Sequence, residues 1–198
     1  MIEEKIVYYD ESGIENTSQT LELAIERAQA RGIKKIILAS TRGETARILA
    51  GRLQGTGITM VVVPHQYGFM SGQRFTSELV DELTLQGHVV HFGTMLFHTE
   101  HFYGNDTPHA MADLLRSFCQ GMKVVVEIVL MAADGGRVAI EEQVVVVTGT
   151  GRGADTAVVA ETSTSTHFHD FHITEIICKP LRTKAIRPPM PPAEAPRP

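Results

Sequence analysis

The sequence predicts an α/β domain, a three-layer α/β/α sandwich around a mostly parallel sheet. Three observations lead there. Short apolar runs of strand length alternate with stretches of helical period, and parallel crossovers place helices on both faces of a sheet. The 198 residues suit one ordinary domain, able to bury roughly two-thirds of the surface its unfolded chain exposes. Only Cys119 and Cys178 are present, without a Cys-x-x-Cys partner, so a reduced apolar core, and not a disulfide framework or thiolate metal site, must hold the fold.

Taken in order, KIVYYD (5–10) reads as a strand, and 15–32 changes to helical period. Leu21, Leu23, Ala24, Ile25 and Ala28 form its stripe, Thr17 or Ser18 caps its start and Gly32 ends it. IKKIILA (33–39) is the second strand, followed after Gly43 by helical spacing to residue 54. TMVVVPH (59–65) is the third, and a loop rich in Gly and Gln (67–75) leads to a helix near 76–86 and a strand at HVVHFGT (88–94). Residues 95–108 read as an insertion loop carrying His and aromatic side chains, and 107–121 as a helix. The valines of 122–136 suit a strand, but the apolar positions 124, 125, 128, 129, 131 and 132 fit a buried helix ended by Gly135, which is the preferred reading. Strands follow at 141–149, 155–161 and 173–179. The domain is expected to span 1–182. Six of the nine prolines lie between 188 and 198, so 183–198 reads as a disordered polyproline-like tail.

Charge narrows the function. A formal net charge of −5 without a block of Lys and Arg argues against duplex nucleic acid or an anionic membrane as partner. A charged N-terminus and the lack of a long apolar run give no sign of a signal peptide or membrane span, which points to a cytoplasmic protein. A small metabolite is the expected ligand, and self-association into a homo-oligomer is left open.

Two segments carry the candidate chemistry. In ASTRGETARILAG (39–51) a strand opens into a helix, where free backbone N–H groups and the helix dipole suit an anion. Gly43 would allow close approach, Ser40, Thr41 and Thr45 would donate hydroxyls, and Arg42 would add a charge. The competing reading is a capping box in which Thr41 and Glu44 satisfy the same N–H groups. In VVVVTGTGRGADT (144–156) Gly149, Gly151 and Gly153 can converge backbone amides on an oxyanion. The alternative there is a glycine-rich hairpin, and the spacing is not the dinucleotide fingerprint. HFHDFH (167–172) places His167 and His169 on one face if it is a strand, yet no further ligand stands at a recognised spacing, so no metal site is assigned. His91, His98 and His101, with Phe92, Phe97, Phe102 and Tyr103, could wall a flat aromatic ligand or simply pack. Glu127, inside an apolar helix, should be paired or at a helix edge. No nucleophile elbow, phosphate-binding Walker loop or Ser-His-Asp order is present.

ENT (15–17), ASTRGETA (39–46), the 114–136 block, TGTGRGADTA (148–157) and EIICKP (175–180) together resemble the C-terminal domain of pyruvate kinase. The resemblance is closer to a stand-alone archaeal and bacterial family of that fold, members of which bind flavin mononucleotide (FMN). It implies FMN as cofactor, with the phosphate at Ser40, Thr41, Gly43 and Thr45. Arg42, His65, Thr94, Met95 and the run Thr148, Gly149, Thr150, Gly151, Arg152, Gly153, Ala154 and Asp155 complete the implied site. The barrel domain that carries pyruvate kinase's active site is not in this sequence, so phosphoryl transfer is not expected. What remains is a protein binding FMN or another phosphorylated ligand, with a flavin-dependent oxidoreductase and a non-catalytic metabolite sensor as the two alternatives. Valine at Gly153 is expected to block a ligand's approach to the backbone.

Overall fold

A computed structural model describes residues 1–182; the Pro-rich tail lies outside the described residues. Seven strands form one sheet in the order β1-β7-β6-β5-β2-β3-β4. They are β1 (Val7–Glu11), β2 (Lys35–Ala39), β3 (Thr59–Val63), β4 (Val89–Val90), β5 (Gln143–Thr148), β6 (Thr156–Glu161) and β7 (His172–Arg182). The β1/β7, β2/β3, β2/β5 and β3/β4 pairs are parallel, while β5/β6 and β6/β7 are antiparallel.

Side-chain alternation along each strand divides the core into layers. On β2, β3 and β5 one face presents Ile36, Leu38, Met60, Val62, Val145 and Val147 to α1 (Thr17–Ala30), α2 (Glu44–Leu53) and α3 (Ser77–Leu85). The opposite face presents Ile37, Val61, Val63, Val144 and Val146 to α6 (Gln120–Asp134). The short α4 (Glu100–Tyr103) and α5 (Thr107–Arg116) complete the helices, and α5 packs outside α6 through Ala112, Val126 and Leu130. This is the expected three-layer α/β/α sandwich. Burying valines on both faces of β5 removes apolar surface at about 25 cal/mol per Å², which accounts for the unbroken VVVV run.

The preferred helix for the 122–136 segment is present and begins two residues early, at Gln120. Residues 121–133 are buried almost all round, as a helix sandwiched between a sheet and another helix must be. The expected helix over 107–121 is shorter, because the extended backbone of Cys119 separates α5 from α6. The strand expected at 88–94 shrinks to Val89–Val90; β4 is an edge strand with one neighbour, and beyond it the chain turns across the strand ends. The loop at 95–108 contains a 3₁₀ turn, Leu96–His98, and α4.

Candidate functional site

A cleft of about 470 Å³ opens where β2, β3 and β5 end, bordered by the start of α2, the 149–153 turn, the loop after β3 and one face of α6. Helix α2 lies on one face of the sheet and α6 on the other, so a crevice is left between them at the carboxyl edge of the strands.

At its outer end the capping-box reading fails. The residue before α2 is Gly43, left-handed at φ 84°, and no side chain caps the helix. Thr41 instead places its hydroxyl 3.4 Å from His65 Nε2, and Glu44 reaches across to Arg152 at 3.0 Å. The first-turn N–H groups of α2 therefore lack a side-chain acceptor. Ser40 and Thr45, both nearly buried, line the cleft beside them. Gly43 itself serves the fold: a Cβ there would fall 1.9 Å from Leu79 Cδ2.

The glycine turn takes its hairpin form, joining the antiparallel β5 and β6. Four of its backbone donors, none of them a glycine's, are consumed within the protein. Arg152 N bonds Thr150 O, Asp155 N bonds Thr148 O, Thr150 N bonds Asp155 Oδ2, and Ala154 N bonds the Thr17 hydroxyl at 3.0 Å. Asp155 is wholly buried and also accepts from Thr156 Oγ1; burial pushes its carboxyl above the ordinary range. Thr148 is buried and donates to Gly121 O. Gly153, at φ 75°, packs where a Cβ would lie 2.3 Å from Thr17 Oγ1 and 2.7 Å from Ile14 Cα. Its smallness admits the 14–17 segment of its own chain, so a valine there would clash with the protein itself. Thr17 likewise does not cap α1; a 3₁₀ turn at Ile14–Asn16 precedes the helix.

Of the residues singled out in the sequence, Ser40, Thr41, Arg42, Thr45, His65, Met95, Gly149, Gly151, Arg152 and Gly153 all line the cleft. Gly43, Thr148, Thr150, Ala154 and Asp155 stand behind that lining as described, and Thr94 is exposed outside it. The loop aromatics disperse. His98 faces the cleft, Phe97 is buried under α6, Phe92 packs on Tyr67 and Phe75, and Phe102 and Tyr103 are exposed. HFHDFH is no strand: Ser165–Asp170 is a 3₁₀ segment and β7 starts at His172. Among the described residues no group of three His, Cys, Asp or Glu side chains could hold a metal.

The inner end is what motif reasoning missed. Lys123, 2% exposed, lies in the cleft and bonds Glu127 one turn along α6. Its Nζ is 3.1 Å from His98 Nε2 and 5.4 Å from the centre of the Phe97 ring. Glu127 also accepts from Phe97 N at 3.0 Å, so it is paired as expected. Burial, ahead of every other cause, lowers the pKa of Lys123 from its ordinary value, and does the same for His98 and His65. Phe69 stands edge-on to both imidazoles, each 4.9 Å away, so a continuous wall runs from Thr41 to Lys123. His65 Nδ1 is buried with no protein partner. The signal was present as K-x-x-x-E within an otherwise apolar helix, an i,i+4 ion pair that only burial makes unusual.

Cationic Arg42, Arg74, Arg116, Lys123 and Arg152 line this cleft against only Glu44 and Glu127, in a chain of net charge −5. The pairs Arg152–Glu44, Lys123–Glu127 and Arg116–Asp113 offset each other, so the excess resides on Arg42 and Arg74, a bias toward anionic ligands. Among the described residues no helix is long and apolar enough to cross a membrane. The family model described as pyruvate kinase, alpha/beta domain, matches residues 18–160, a span that runs from α1 to β6 and holds every residue lining the cleft. The chain belongs to that pyruvate kinase alpha/beta domain family.

Proposed function

We propose that the cleft binds a phosphorylated ligand, with FMN the cofactor to test first. The observation that carries this reading is the uncapped start of α2, where Ser40, Thr45 and Arg42 surround first-turn N–H groups that no side chain satisfies. A phosphate meets both needs of such a helix end, acceptors for the N–H groups and negative charge for the dipole. The remainder of the cleft suits a flat heterocycle. Pro64, Phe69, Met70, Met95, Ile128 and Met131 supply apolar wall, the unpartnered His65 Nδ1 supplies one polar contact, and the volume falls in the range of roughly 300–1,000 Å³ typical of small-molecule sites.

A bound flavin would supply hydride or single-electron chemistry. The chain's own residues orient the phosphate, exclude water along the Phe69 and Met131 walls, and present Lys123 and His98 at the inner end. Sensing of a phosphorylated metabolite without turnover uses the same phosphate end and differs in what fills the inner end. Phosphoryl transfer from phosphoenolpyruvate is not part of this reading.

The experiment is an absorbance spectrum of the purified protein before and after incubation with FMN and desalting. Retained absorbance near ~450 nm that inorganic phosphate displaces supports the reading. A protein that retains no flavin, with a thermal midpoint that inorganic phosphate does not raise, overturns it.

A further inference from the structure

We propose that Lys123 is a reactive amine that condenses with an aldehyde or ketone group of a phosphorylated ligand held in this cleft. The inference rests on the phosphate end of the reading above and not on FMN itself.

A lysine has little reason to occupy this position for stability alone. Residues 121–133 of α6 are otherwise almost wholly apolar and buried, and a buried ion pair is often no more stabilising than an apolar pair of the same volume. The pair also joins two residues of one helix, one turn apart, so it does not tie distant elements together. The amine nonetheless borders the cleft. An ammonium carries three donors; Glu127 and His98 take two, which leaves one N–H for a ligand.

The neighbours are those that imine formation requires. Burial favours the uncharged amine, which is the nucleophilic form, and Glu127 is in contact to receive the ammonium proton. The amine nitrogen then attacks the carbonyl carbon: a C–N bond forms, the C=O π bond breaks, and the oxygen takes the proton from Glu127. The nitrogen gives one proton back to Glu127 or to His98 Nε2. That proton leaves with the hydroxyl as water when the nitrogen lone pair closes the C=N bond. The balance is ammonium plus carbonyl going to iminium plus water, without oxidant or reductant. The iminium keeps a single positive charge beside Glu127, so the buried pair stays neutral overall and desolvation does not oppose the product.

The phosphate end and the amine lie in one cleft, joined by the wall of His65, Phe69 and His98. That arrangement selects a carbonyl compound bearing a phosphate and an apolar or aromatic middle. Pyridoxal 5′-phosphate is a probe with these features, and pyridoxal is its phosphate-free control.

The whole chain is treated with each probe, reduced with borohydride and mapped by peptide mass spectrometry. The expected result is a single rapid adduct on Lys123, absent with inorganic phosphate or FMN present and much slower with pyridoxal. K123R, which keeps the charge, should lose that adduct. E127Q, which keeps an acceptor for Phe97 N, should slow it by about 10²-fold, the scale of a lost general acid–base; a Glu127 that acted only through its charge would on removal favour the free amine and not slow the reaction. An unmodified Lys123, in a protein whose thermal midpoint phosphate still raises, overturns the imine and leaves the phosphate site standing. Modification of Lys123 equally by both probes, indifferent to phosphate, overturns the phosphate end and with it the ligand class.

Discussion

The two turns that meet at the outer end of the cleft look alike in sequence and dispose of their backbone donors differently. Ser40–Gly43 and Gly149–Asp155 both follow an apolar strand and both contain glycine. In the first, the chain enters α2 with no side-chain cap, and Ser40, Arg42 and Thr45 are turned to the cleft. In the second, Thr150, Arg152, Ala154 and Asp155 all spend their N–H groups on the protein. A strand-end turn offers a ligand only the donors its own chain does not take. How many those are depends on whether the next element is a helix, whose first turn cannot satisfy its own N–H groups, or a hairpin, whose turn takes part of them.

If this division holds, stability and ligand affinity should separate between the two turns. The largest effect is expected at Gly153→Val. A left-handed β-branched residue clashing with Thr17 and Ile14 should cost about 3 kcal/mol or more, read from urea unfolding. Full stability with lost ligand binding would instead make the turn a ligand contact. Next, Asp155→Ala leaves Thr150 N and the Thr156 hydroxyl without their acceptor and should lower stability by about 2 kcal/mol. Ser40→Ala should do the reverse, moving unfolding by less than about 0.5 kcal/mol while weakening FMN binding about fivefold, one hydrogen bond's worth. Calorimetric titration of that variant showing unchanged affinity would remove Ser40 from the site.

The smallest effect sharpens the comparison by pH. His65, beside the first turn, has its pKa lowered from 6.5 by burial. Below 6.5 the unfolded chain takes up a proton that the folded one refuses, so this group makes stability fall on acidification. Asp155, in the second turn, has its pKa raised from 3.8 by burial. The folded chain accepts its proton first, so acidification through its folded pKa returns stability. Between about pH 7.5 and about pH 5.5, His65→Asn should flatten the decline in the urea midpoint, and His98, lowered for the same first cause, should add to the slope in the parent protein. Asp155→Asn should remove the opposite slope, which runs from its raised folded pKa down to 3.8.

Much of the fold was legible because it depends on local pattern. Strand length, β-branching and the stripe of Leu21, Ala24 and Ala28 are properties of neighbouring residues, and α1, α2, β2, β3 and β5 lie within a few residues of where that pattern puts them. The helix at Gln120–Asp134 was also legible, from apolar spacing that outweighs the strand preference of its valines. β4 was overread because an edge strand with one partner keeps only Val89 and Val90 in the sheet and not the residues that follow them. The outer half of the cleft was readable as a strand-to-helix junction beside a glycine-rich turn. The inner half was not, because Lys123 resembles an ordinary surface charge until its burial is known.

The sequence by itself determined an α/β sandwich, the strands whose ends form the cleft and the segment where α2 begins. All of these follow from periodicity over fewer than about twenty residues. Only the tertiary structure decided that Thr17 would take the N–H of Ala154, 137 residues away, that Glu44 would answer Arg152 across 108, and that His98 would reach Lys123. Such partners are set by which faces of the sheet the helices cover, and a side chain's role as donor, wall or reactive group depends on what burial leaves beside it.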